Sequence, residues 1–345
     1  MQRLLATVVM LLLWTGVAVS AEPKVLNVFN WSEYVPQTVL DRFTKETGIK
    51  VVYTTYESNE AMYAKIKLLR GKGYDIVVPS TYFIDMMRKD GLLAKIDRAK
   101  LTNYANLDPR VLHQPFDPQN EFSVPYMWGN TGLMVNRKVV DPATISSWND
   151  LFRPEFKGGV ILSDDLRDTF GIALKALGYS VNSTSEAEIK AAYEWLLKLK
   201  PSVRVFDVTA TKQAFIAEEV KGGMSWNGDA FIAMNENPDL AFVYPKEGLP
   251  LWVDSLAIPI GAEHKDNAHK FIDFLLRPDI AKLCVEEYNY STPNLAAQKI
   301  LDARHAQSRA TSPTDADLKN SEFTNGVGKA LDVYEKYWEM LKTAD

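Results

Sequence analysis

The chain has 345 residues, of which 46% are hydrophobic and 24% are charged, and its formal net charge is −5 at pH 7. This length and apolar content predict about two domains with a large core. The mild excess of acid excludes a general affinity for nucleic acid or anionic lipid, while it favours contact with cationic solutes. Cys284 is the only cysteine, which excludes an internal disulfide and predicts a buried, inert thiol.

The start of the chain has the pattern of an export signal. Arg3 precedes a short apolar stretch at 4–14, and the segment 19–21 supplies the small or modest residues that signal peptidase requires. The apolar stretch is too short for a membrane span, and no stop-transfer segment follows it. The sequence therefore predicts export, with cleavage near Ala21.

Apolar runs alternate with segments of helical periodicity through most of the chain, which predicts an α/β fold with largely parallel sheets. In the first part, three strands are each followed by a helix. The predicted strands are 24–29, 49–54 and 74–78, and the predicted helices have apolar residues at Val39, Leu40 and Phe43, at Met62, Ile66 and Leu69, and over 83–89. This order is typical of one α/β module.

A second module of the same kind follows. Its predicted strands are 159–162, 222–226 and 254–258, and its predicted helices are 170–177, 191–199, a stripe at Ala268, Phe271, Ile272 and Leu275, and a last one at Val327, Leu331, Tyr334, Trp338 and Leu341. No low-complexity linker separates the modules, and the sequence has no internal repeat. This organisation predicts two lobes that are joined by crossing strands.

Aromatic and acidic side chains cluster at the ends of several predicted strands. These segments are 30–34, 80–82, 163–168, 226–227 and 252–254. Ligands of open α/β sheets bind beyond the carboxyl ends of the strands. Carboxylates pair with ammonium groups, and aromatic faces cover methylenes and attract cations, for about 0.5 to 2 kcal/mol per contact. The pattern therefore favours a cleft for a polyamine, a row of ammonium groups joined by methylenes.

Each of these signals also has an ordinary structural explanation. Acids favour helix starts, so those of 163–168 could cap a helix, and at least one of them is expected to do so. Ser80 could cap the next helix, and Glu33 could be an ordinary surface acid. Asp254 is harder to explain in this way, because an acid inside an apolar strand needs a partner.

Enzyme signatures are thin in this chain. It has no Walker loop and no GxGxxG, HExxH or GxSxG motif, and its four histidines are scattered in polar segments, where we expect them to face solvent. Three alternatives stay open nevertheless. They are a glycosidase that uses Asp165 and Asp254, a metal site at Asp164, Asp165 and Asp168, and a ferric site at Tyr34 and Tyr82.

Eight segments, in order through nearly the whole chain after the signal, carry a family resemblance. They are 29–35, 43–51, 75–80, 124–129, 226–228, 252–259, 275–279 and 292–294. Together these segments are highly specific, and they resemble the spermidine/putrescine-binding periplasmic proteins of polyamine ABC transporters. The resemblance is closest to the branch that prefers spermidine.

This resemblance implies a type II periplasmic binding protein fold, in which two α/β lobes, each a mostly parallel sheet flanked by helices, hold the ligand in the cleft between them. On this analogy, lobe 1 takes residues 22–129 and 254–298, and lobe 2 takes 130–253 and 299–345. The implied function is that of a non-enzymatic periplasmic receptor, monomeric by default and without cofactor or metal. It would capture spermidine or putrescine and deliver it to a membrane permease. A sensor would use the same site.

The resemblance also assigns roles to residues of the strand-end segments and to one residue near the end of the chain. The implied aromatic box around the methylenes is Trp31, Tyr34, Tyr82, Trp226 and Trp252; the implied carboxylates are Asp165 and Asp168 for one terminal amine and Asp254 for an inner amine; and Ser32, Glu33 and Thr324 surround the other terminus, with Ser80 alongside. Three of these positions depart from the family pattern. Asp168 stands in place of a longer Glu, Ser32 in place of Thr, and Thr324 in place of Gln, which puts ligand preference in question.

Overall fold

The computed structural model describes residues 22–344, and the predicted export signal lies outside the described residues. This part of the chain contains ten strands and twelve α-helices. The strands are β1 (Val25–Trp31), β2 (Lys50–Tyr56), β3 (Ile76–Val77), β4 (Ser123–Asn136), β5 (Val160–Leu162), β6 (Val203–Phe206), β7 (Gly222–Trp226), β8 (Leu240–Val243), β9 (Pro250–Ala257) and β10 (Glu322–Phe323). The helices are α1 (Gln37–Thr47), α2 (Asn59–Leu68), α3 (Thr81–Lys89), α4 (Leu166–Ala176), α5 (Glu186–Leu199), α6 (Thr211–Ile216), α7 (Asn227–Glu236), α8 (Lys265–Leu275), α9 (Pro278–Tyr288), α10 (Leu295–Gln298), α11 (Ala303–Gln307) and α12 (Leu331–Thr343). No helix in the described range combines the length and the apolar character that a membrane span requires.

The first sheet is built around β1, which lies between β2 and β3 and is parallel to both. β9 extends this sheet, because it is antiparallel to β3 and to the first half of β4, with Asn130 opposite Leu251. β10 adds a short parallel pairing with β9. Since parallel strands end at the same edge of a sheet, the segments that follow β1 and β3 lie side by side.

The second sheet contains β5, which is parallel to both β6 and β7. The second half of β4 joins it and is antiparallel to β7 and β8. β4 therefore passes from the first sheet to the second between Asn130 and Thr131. The predicted fold class is confirmed: each lobe has parallel strands flanked by helices, and the antiparallel strands β4 and β9 lie at the centre of the strand order.

Each lobe has its own hydrophobic core. In the first lobe, the rings of Phe43 and Phe271 meet edge to face, with centroids 5.0 Å apart, and join α1 to α8. In the second lobe, Phe170 of α4 meets Tyr334 of α12 in the same way at 5.4 Å. Cys284 is buried in the first core as predicted, and burial raises the pKa of its thiol to about 12. Two cores of this kind give the cleft two stable walls.

Local signals set the ends of the helices that matter for the site. α1 ends because Gly48 adopts a left-handed conformation with φ of 73° and donates its N–H back to the carbonyl of Thr44. α4 begins because the side chain of Asp165 accepts hydrogen bonds from the free N–H groups of the first turn. This cap fixes the position of Asp168 at the start of α4.

The longest element that the sequence pattern did not predict is β4, with 14 residues. All of them are buried, so the strand lacks the alternation of exposed and buried residues that marks a one-sided sheet. Pro125, Gly129 and Gly132 also interrupt its apolar character. The last helix also begins later than predicted, because Val327 lies before α12 rather than within it.

The expectation that the histidines face solvent is wrong for three of the four. His113 is exposed, whereas His264, His269 and His305 are buried. Each buried ring has polar partners inside the fold, as in the contact of 3.0 Å between His264 Nδ1 and the carboxylate of Asp75. The polar segments around these histidines supply buried partners for the rings, so their polarity did not indicate exposure.

Candidate functional site

The first acidic centre of the cleft is Asp254, which lies on β9 and is only 5% exposed. Its carboxylate accepts hydrogen bonds from the hydroxyls of Tyr34, which follows β1, and Ser80, which follows β3. Ser80 also pairs with Asp254 through the backbone, as an isolated antiparallel bridge. The parallel arrangement of β1 and β3 brings both hydroxyls to the same edge of the sheet.

The charge of Asp254 is only partly compensated. Burial raises the pKa of its carboxyl to about 6, and the hydroxyls of Ser80 and Tyr34 lower it in part. Within residues 22–344, no lysine, arginine or histidine forms an ion pair with it. A desolvated anion with neutral donors only gains most from a cation that a ligand brings.

A row of aromatic rings adjoins this centre. Tyr34 and Trp252 both lie against Tyr290, with centroid distances of 5.8 and 5.5 Å. Glycines permit the close approach of two of these rings to the backbone, because a Cβ on Gly228 would lie 2.6 Å from the Tyr290 ring and one on Gly129 would lie 2.3 Å from the Trp252 ring. Aromatic faces held in this way can cover methylenes and attract cations.

Trp31 occupies the end of β1 and is half-buried. Its indole N–H donates to the carbonyl of Val78 over 3.0 Å, and the hydroxyl of Tyr56 donates to the same carbonyl over 2.6 Å. The rings of Trp31 and Tyr56 have centroids 4.7 Å apart. The segment after β3, which also carries Ser80, therefore orients this indole.

The second acidic centre consists of Asp165 and Asp168 at the start of α4. Oδ1 of Asp165 accepts from the backbone N–H groups of Arg167 and Asp168, both over 2.9 Å. Oδ2 of Asp168 accepts from the hydroxyl of Thr131 and the indole N–H of Trp226, both over 2.8 Å. The start of α4 and the neighbouring strands β4 and β7 thus hold this pair of carboxylates.

Both carboxyls of the second centre have raised pKa values. Burial, and then the charge of Asp165, raise the pKa of Asp168 to about 7, against the hydrogen bonds from Trp226 and Thr131. Burial also raises the pKa of Asp165. The expectation that one acid of this segment caps the helix is correct for Asp165, whose Oδ1 accepts both capping hydrogen bonds, while its Oδ2 accepts none from the described residues.

Tyr82 and Arg167 connect the first lobe to the second acidic centre. The guanidinium of Arg167 lies 5.2 Å from the centroid of the Tyr82 ring. Burial, followed by the charge of Asp165, raises the pKa of the Tyr82 hydroxyl. Arg167 is only 2% exposed and donates to the carbonyl of Asn325 over 3.0 Å. This buried cation offsets part of the charge of the two acids without forming an ion pair with either.

Three of the polar residues predicted for the site form no hydrogen bond with either acidic centre. Ser32 is exposed, and its hydroxyl donates to Glu57 over 3.2 Å. The Glu33 side chain is 73% exposed, and its Oε2 lies 3.4 Å from Nζ of Lys212. Thr324 is buried, and its hydroxyl donates to a backbone carbonyl of β9 over 3.2 Å. These side chains already have partners within the protein.

The geometry weighs against the metal alternatives. Asp164 is exposed and pairs with Lys342 instead of joining the second acidic centre. Burial raises the pKa of the Tyr34 and Tyr82 hydroxyls well above their usual range, which disfavours the phenolates that ferric iron requires. Within the described part of the chain, one group of three side chains could hold a metal, and it lies outside the predicted set. It is formed by Glu286, Asp302 and His305.

Three residues of this region were not among the predicted site residues. Tyr290 follows a helix, Thr131 belongs to the unpredicted strand β4, and Arg167 lies in the first turn of α4. A weak signal existed for Tyr290, because it stands just before the segment 292–294 that carries the family resemblance. Arg167 stands between Asp165 and Asp168 in the chain, but arginines are seldom buried, and a positive side chain is not expected in a site for cations.

Comparisons with known proteins show the family of this chain. Residues 38–313 match the family of bacterial extracellular solute-binding proteins. The chain is 51% identical over 317 residues to the spermidine/putrescine-binding periplasmic protein of Escherichia coli (strain K12), which covers 92% of this chain and 91% of that protein. It is 33% identical over 348 residues to the putrescine-binding periplasmic protein SpuD of Pseudomonas aeruginosa (strain UCBPP-PA14), which covers 95% and 94%.

Solved structures give the same result. The spermidine/putrescine ABC transporter substrate-binding protein PotD of Streptococcus pneumoniae has a TM-score of 0.81 at 35% identity, over 92% of this chain and 99% of that one. The Tp0655 (TpPotD) lipoprotein of Treponema pallidum has a TM-score of 0.83 at 30% identity, with the same coverage. The fold is therefore the predicted two-lobed, type II periplasmic binding protein fold, and the chain belongs to the bacterial extracellular solute-binding proteins, a family of non-enzymatic receptors.

Proposed function

We propose that this protein captures a linear polyamine, spermidine or putrescine, in the cleft between its lobes and delivers it to the membrane permease of an ABC transporter. The observation that carries the proposal is Asp254, a buried acid without a cationic partner among the described residues, beside a row of aromatic rings. An ammonium group would supply the missing charge, and the rings would cover the adjoining methylenes. The names of the relatives from Escherichia coli and Pseudomonas aeruginosa support this ligand class.

In this proposal the two acidic centres take two nitrogens of one ligand. Asp165 and Asp168 hold a terminal ammonium, and Asp254 holds the next one. The rings along the methylenes are those of Trp31, Tyr34, Tyr82, Trp226 and Trp252, together with Tyr290; Ser80 orients Asp254; and Ser32 and Glu33 border the far end. Thr324 lies instead beside Tyr82, because its hydroxyl meets that of Thr81 over 2.9 Å. The raised pKa values of the acids support this assignment, because a cation would relieve their desolvation.

The proposed lobes keep the predicted boundaries, with 22–129 and 254–298 in lobe 1 and 130–253 and 299–345 in lobe 2. The passage of β4 between the two sheets, one residue after the first of these boundaries, supports this division. A hinge at the crossing strands would let the lobes close around the ligand. Closure excludes water, which strengthens each ion pair in the cleft.

Export to the periplasm, with cleavage near Ala21, completes the proposal, and a monomer is the proposed state. The relatives named above are periplasmic by name, which supports export. The permease is the proposed protein partner, and nucleic acid is not, given the net charge of −5. The glycosidase alternative finds no support in a family of receptors.

Isothermal titration calorimetry on residues 22–345 tests this function. We expect saturable heats with spermidine or putrescine, and a matching rise in Tm, because a ligand that binds only the folded state stabilises it. Butane-1,4-diol is the matched control, since it has the carbon chain of putrescine without the charges, and it should give no heat. Ferric citrate tests the iron alternative. No heat and no thermal shift with either polyamine would contradict the proposal.

A further inference from the structure

Apart from the two acidic centres, Glu33 and Asp229 share a single lysine. Lys212, on α6, places its Nζ 3.4 Å from Oε2 of Glu33 and 3.9 Å from Oδ1 of Asp229. Glu33 follows β1 of the first sheet, whereas α6 and α7 flank β7 of the second. The ammonium of Lys212 therefore bridges the two lobes, and its side chain is only 22% exposed.

The Tyr290 ring locates this ammonium relative to the proposed ligand. Burial raises the pKa of the Tyr290 hydroxyl, and the charges of Asp229, Asp254 and Glu33 raise it further. Tyr290 also lies against Tyr34, the residue after Glu33, and a Cβ on Gly228, the residue before Asp229, would lie 2.6 Å from its ring. Both acids that share Lys212 therefore stand next to residues that contact this ring. Tyr34 donates its hydroxyl to Asp254, so Lys212 lies beside the part of the aromatic row that adjoins the first acidic centre.

We infer that Lys212 selects ligands by their length. Its own ammonium occupies the position beside Glu33 and Asp229 that a further ammonium of a longer ligand would take. This inference rests on the proposed function. Lys212 carries the same chemical group as a polyamine terminus, a primary ammonium on an alkyl chain. A diamine such as putrescine uses the two acidic centres and leaves Lys212 in place. A triamine such as spermidine must displace Lys212 or leave its third nitrogen outside this position.

The electrostatics of the position support this arrangement. Burial raises the pKa of Asp229 to about 6, while Lys212 lowers it and Glu33 raises it. Within residues 22–344, Lys212 is the one cation paired with Asp229. If Lys212 lost its charge, two acids would face each other in a partly desolvated place, and the third ammonium of a triamine would become their counter-ion.

The test measures Kd for spermidine and putrescine by calorimetry on the wild-type protein, Lys212→Gln and Lys212→Ala. We expect the spermidine affinity to rise about tenfold relative to that of putrescine in both variants, near the lower end for close charge pairs, because Asp229 is largely buried but the Glu33 side chain is 73% exposed. Lys138→Ala is the matched control. It removes the same charge from an exposed lysine of the same lobe that pairs with Glu218 and Asp239, and it should leave the ratio unchanged.

The outcomes separate this inference from the proposed function. If the wild-type protein binds a polyamine and the Lys212 variants keep the ratio of the two Kd values within twofold, or weaken spermidine more than putrescine, Lys212 is a structural bridge and the inference is wrong. If the wild-type protein binds neither polyamine, the proposed function fails and the inference fails with it. Circular dichroism melts of Lys212→Gln, which keeps a polar side chain of similar length, establish that the variant is folded.

Discussion

Both acidic centres of the cleft contain buried carboxylates, but different hydrogen-bond donors stabilise them. Asp254 is a single carboxylate, and its partners are the hydroxyls of Ser80 and Tyr34. Asp165 and Asp168 form a pair whose partners include backbone and indole N–H groups, and Arg167 lies between them in the chain. In both centres, burial is the largest cause of the raised pKa.

The difference indicates how each centre would respond to a ligand. The single acid provides all of the negative charge at its position, so the loss of that charge leaves a bound ammonium uncompensated. In the pair, burial and the charge of Asp165 raise the pKa of Asp168 to about 7, so this centre loses part of its charge near neutral pH, before Asp254 does. We therefore expect the first centre to be the more sensitive to substitution and the second to be the more sensitive to pH.

The largest expected effect is that of Asp254→Asn on polyamine binding. The substitution keeps the size of the side chain and a hydrogen-bond acceptor for Ser80, but it removes the charge opposite a desolvated ammonium. We expect a loss of about 3–5 kcal/mol of binding free energy, the range for breaking a buried ion pair by removing one partner. Calorimetry with spermidine and putrescine measures it.

Asp266→Asn is the matched control for this substitution. Asp266 lies in the first lobe as well, but it is exposed and pairs with Lys100 at the surface. Its replacement changes the net charge by the same amount and should leave the affinity unchanged. An affinity of Asp254→Asn within a factor of two of the wild type would remove Asp254 from the site and would leave the second centre alone as the place of charge recognition.

The second centre predicts a dependence of affinity on pH. The folded-state pKa of Asp168 is about 7, above the ordinary value for aspartate, so the charge that an ammonium needs is present above pH 7 and is lost as the pH falls through 7. Asp254 follows at about 6. Polyamine amines stay protonated over this range. We expect Kd to rise about tenfold between pH 8 and pH 6, since a decade of pH below a pKa costs about a factor of ten.

Asp168→Asn separates the two contributions to this profile. The variant should bind more weakly at pH 8, and the part of the profile centred near pH 7 should disappear while the part near pH 6, from Asp254, remains. Titrations at constant ionic strength in the same buffer series measure both. A Kd that does not change from pH 8 to pH 6 in the wild type would show that neither acid titrates against the ligand, and the two centres would then not differ in their response to pH.

The sequence predicted the fold better than it predicted the contacts. Alternating strands and amphipathic helices have different periodicities, and these are visible along the chain. β4 was missed because a strand that is buried on both faces has no alternation. The strand-end rule brought Tyr34 and Ser80 together correctly, because β1 and β3 are parallel and end at the same edge of the sheet. Asp254 reaches both hydroxyls from within β9, which is antiparallel to β3.

Contacts that depend on distant segments left no local pattern. The pair of Glu33 and Lys212 spans 179 residues, and neither sequence neighbourhood indicates the other. Tyr290 reaches the aromatic row from the end of a helix, where the strand-end rule does not apply. Arg167 is buried against a tyrosine from the other lobe, a contact that only the docking of the lobes creates. Prediction from pattern therefore works where secondary structure determines position and fails where tertiary packing does.

The smallest expected effect comes from a serine that belongs to neither centre. Ser32→Ala removes a hydroxyl that is exposed and donates to Glu57, so we expect binding free energy within about 0.5 kcal/mol of the wild type. Ser80→Ala is the matched comparison, because it removes the same atom from the carboxylate of Asp254, and a hydrogen bond to a charged group contributes about 1.5–3 kcal/mol. Calorimetry on both variants with the same polyamine gives the difference directly. Equal losses would mean that Ser32 turns inward and contacts the ligand when it binds, which would extend the site beyond the two acidic centres towards Glu33.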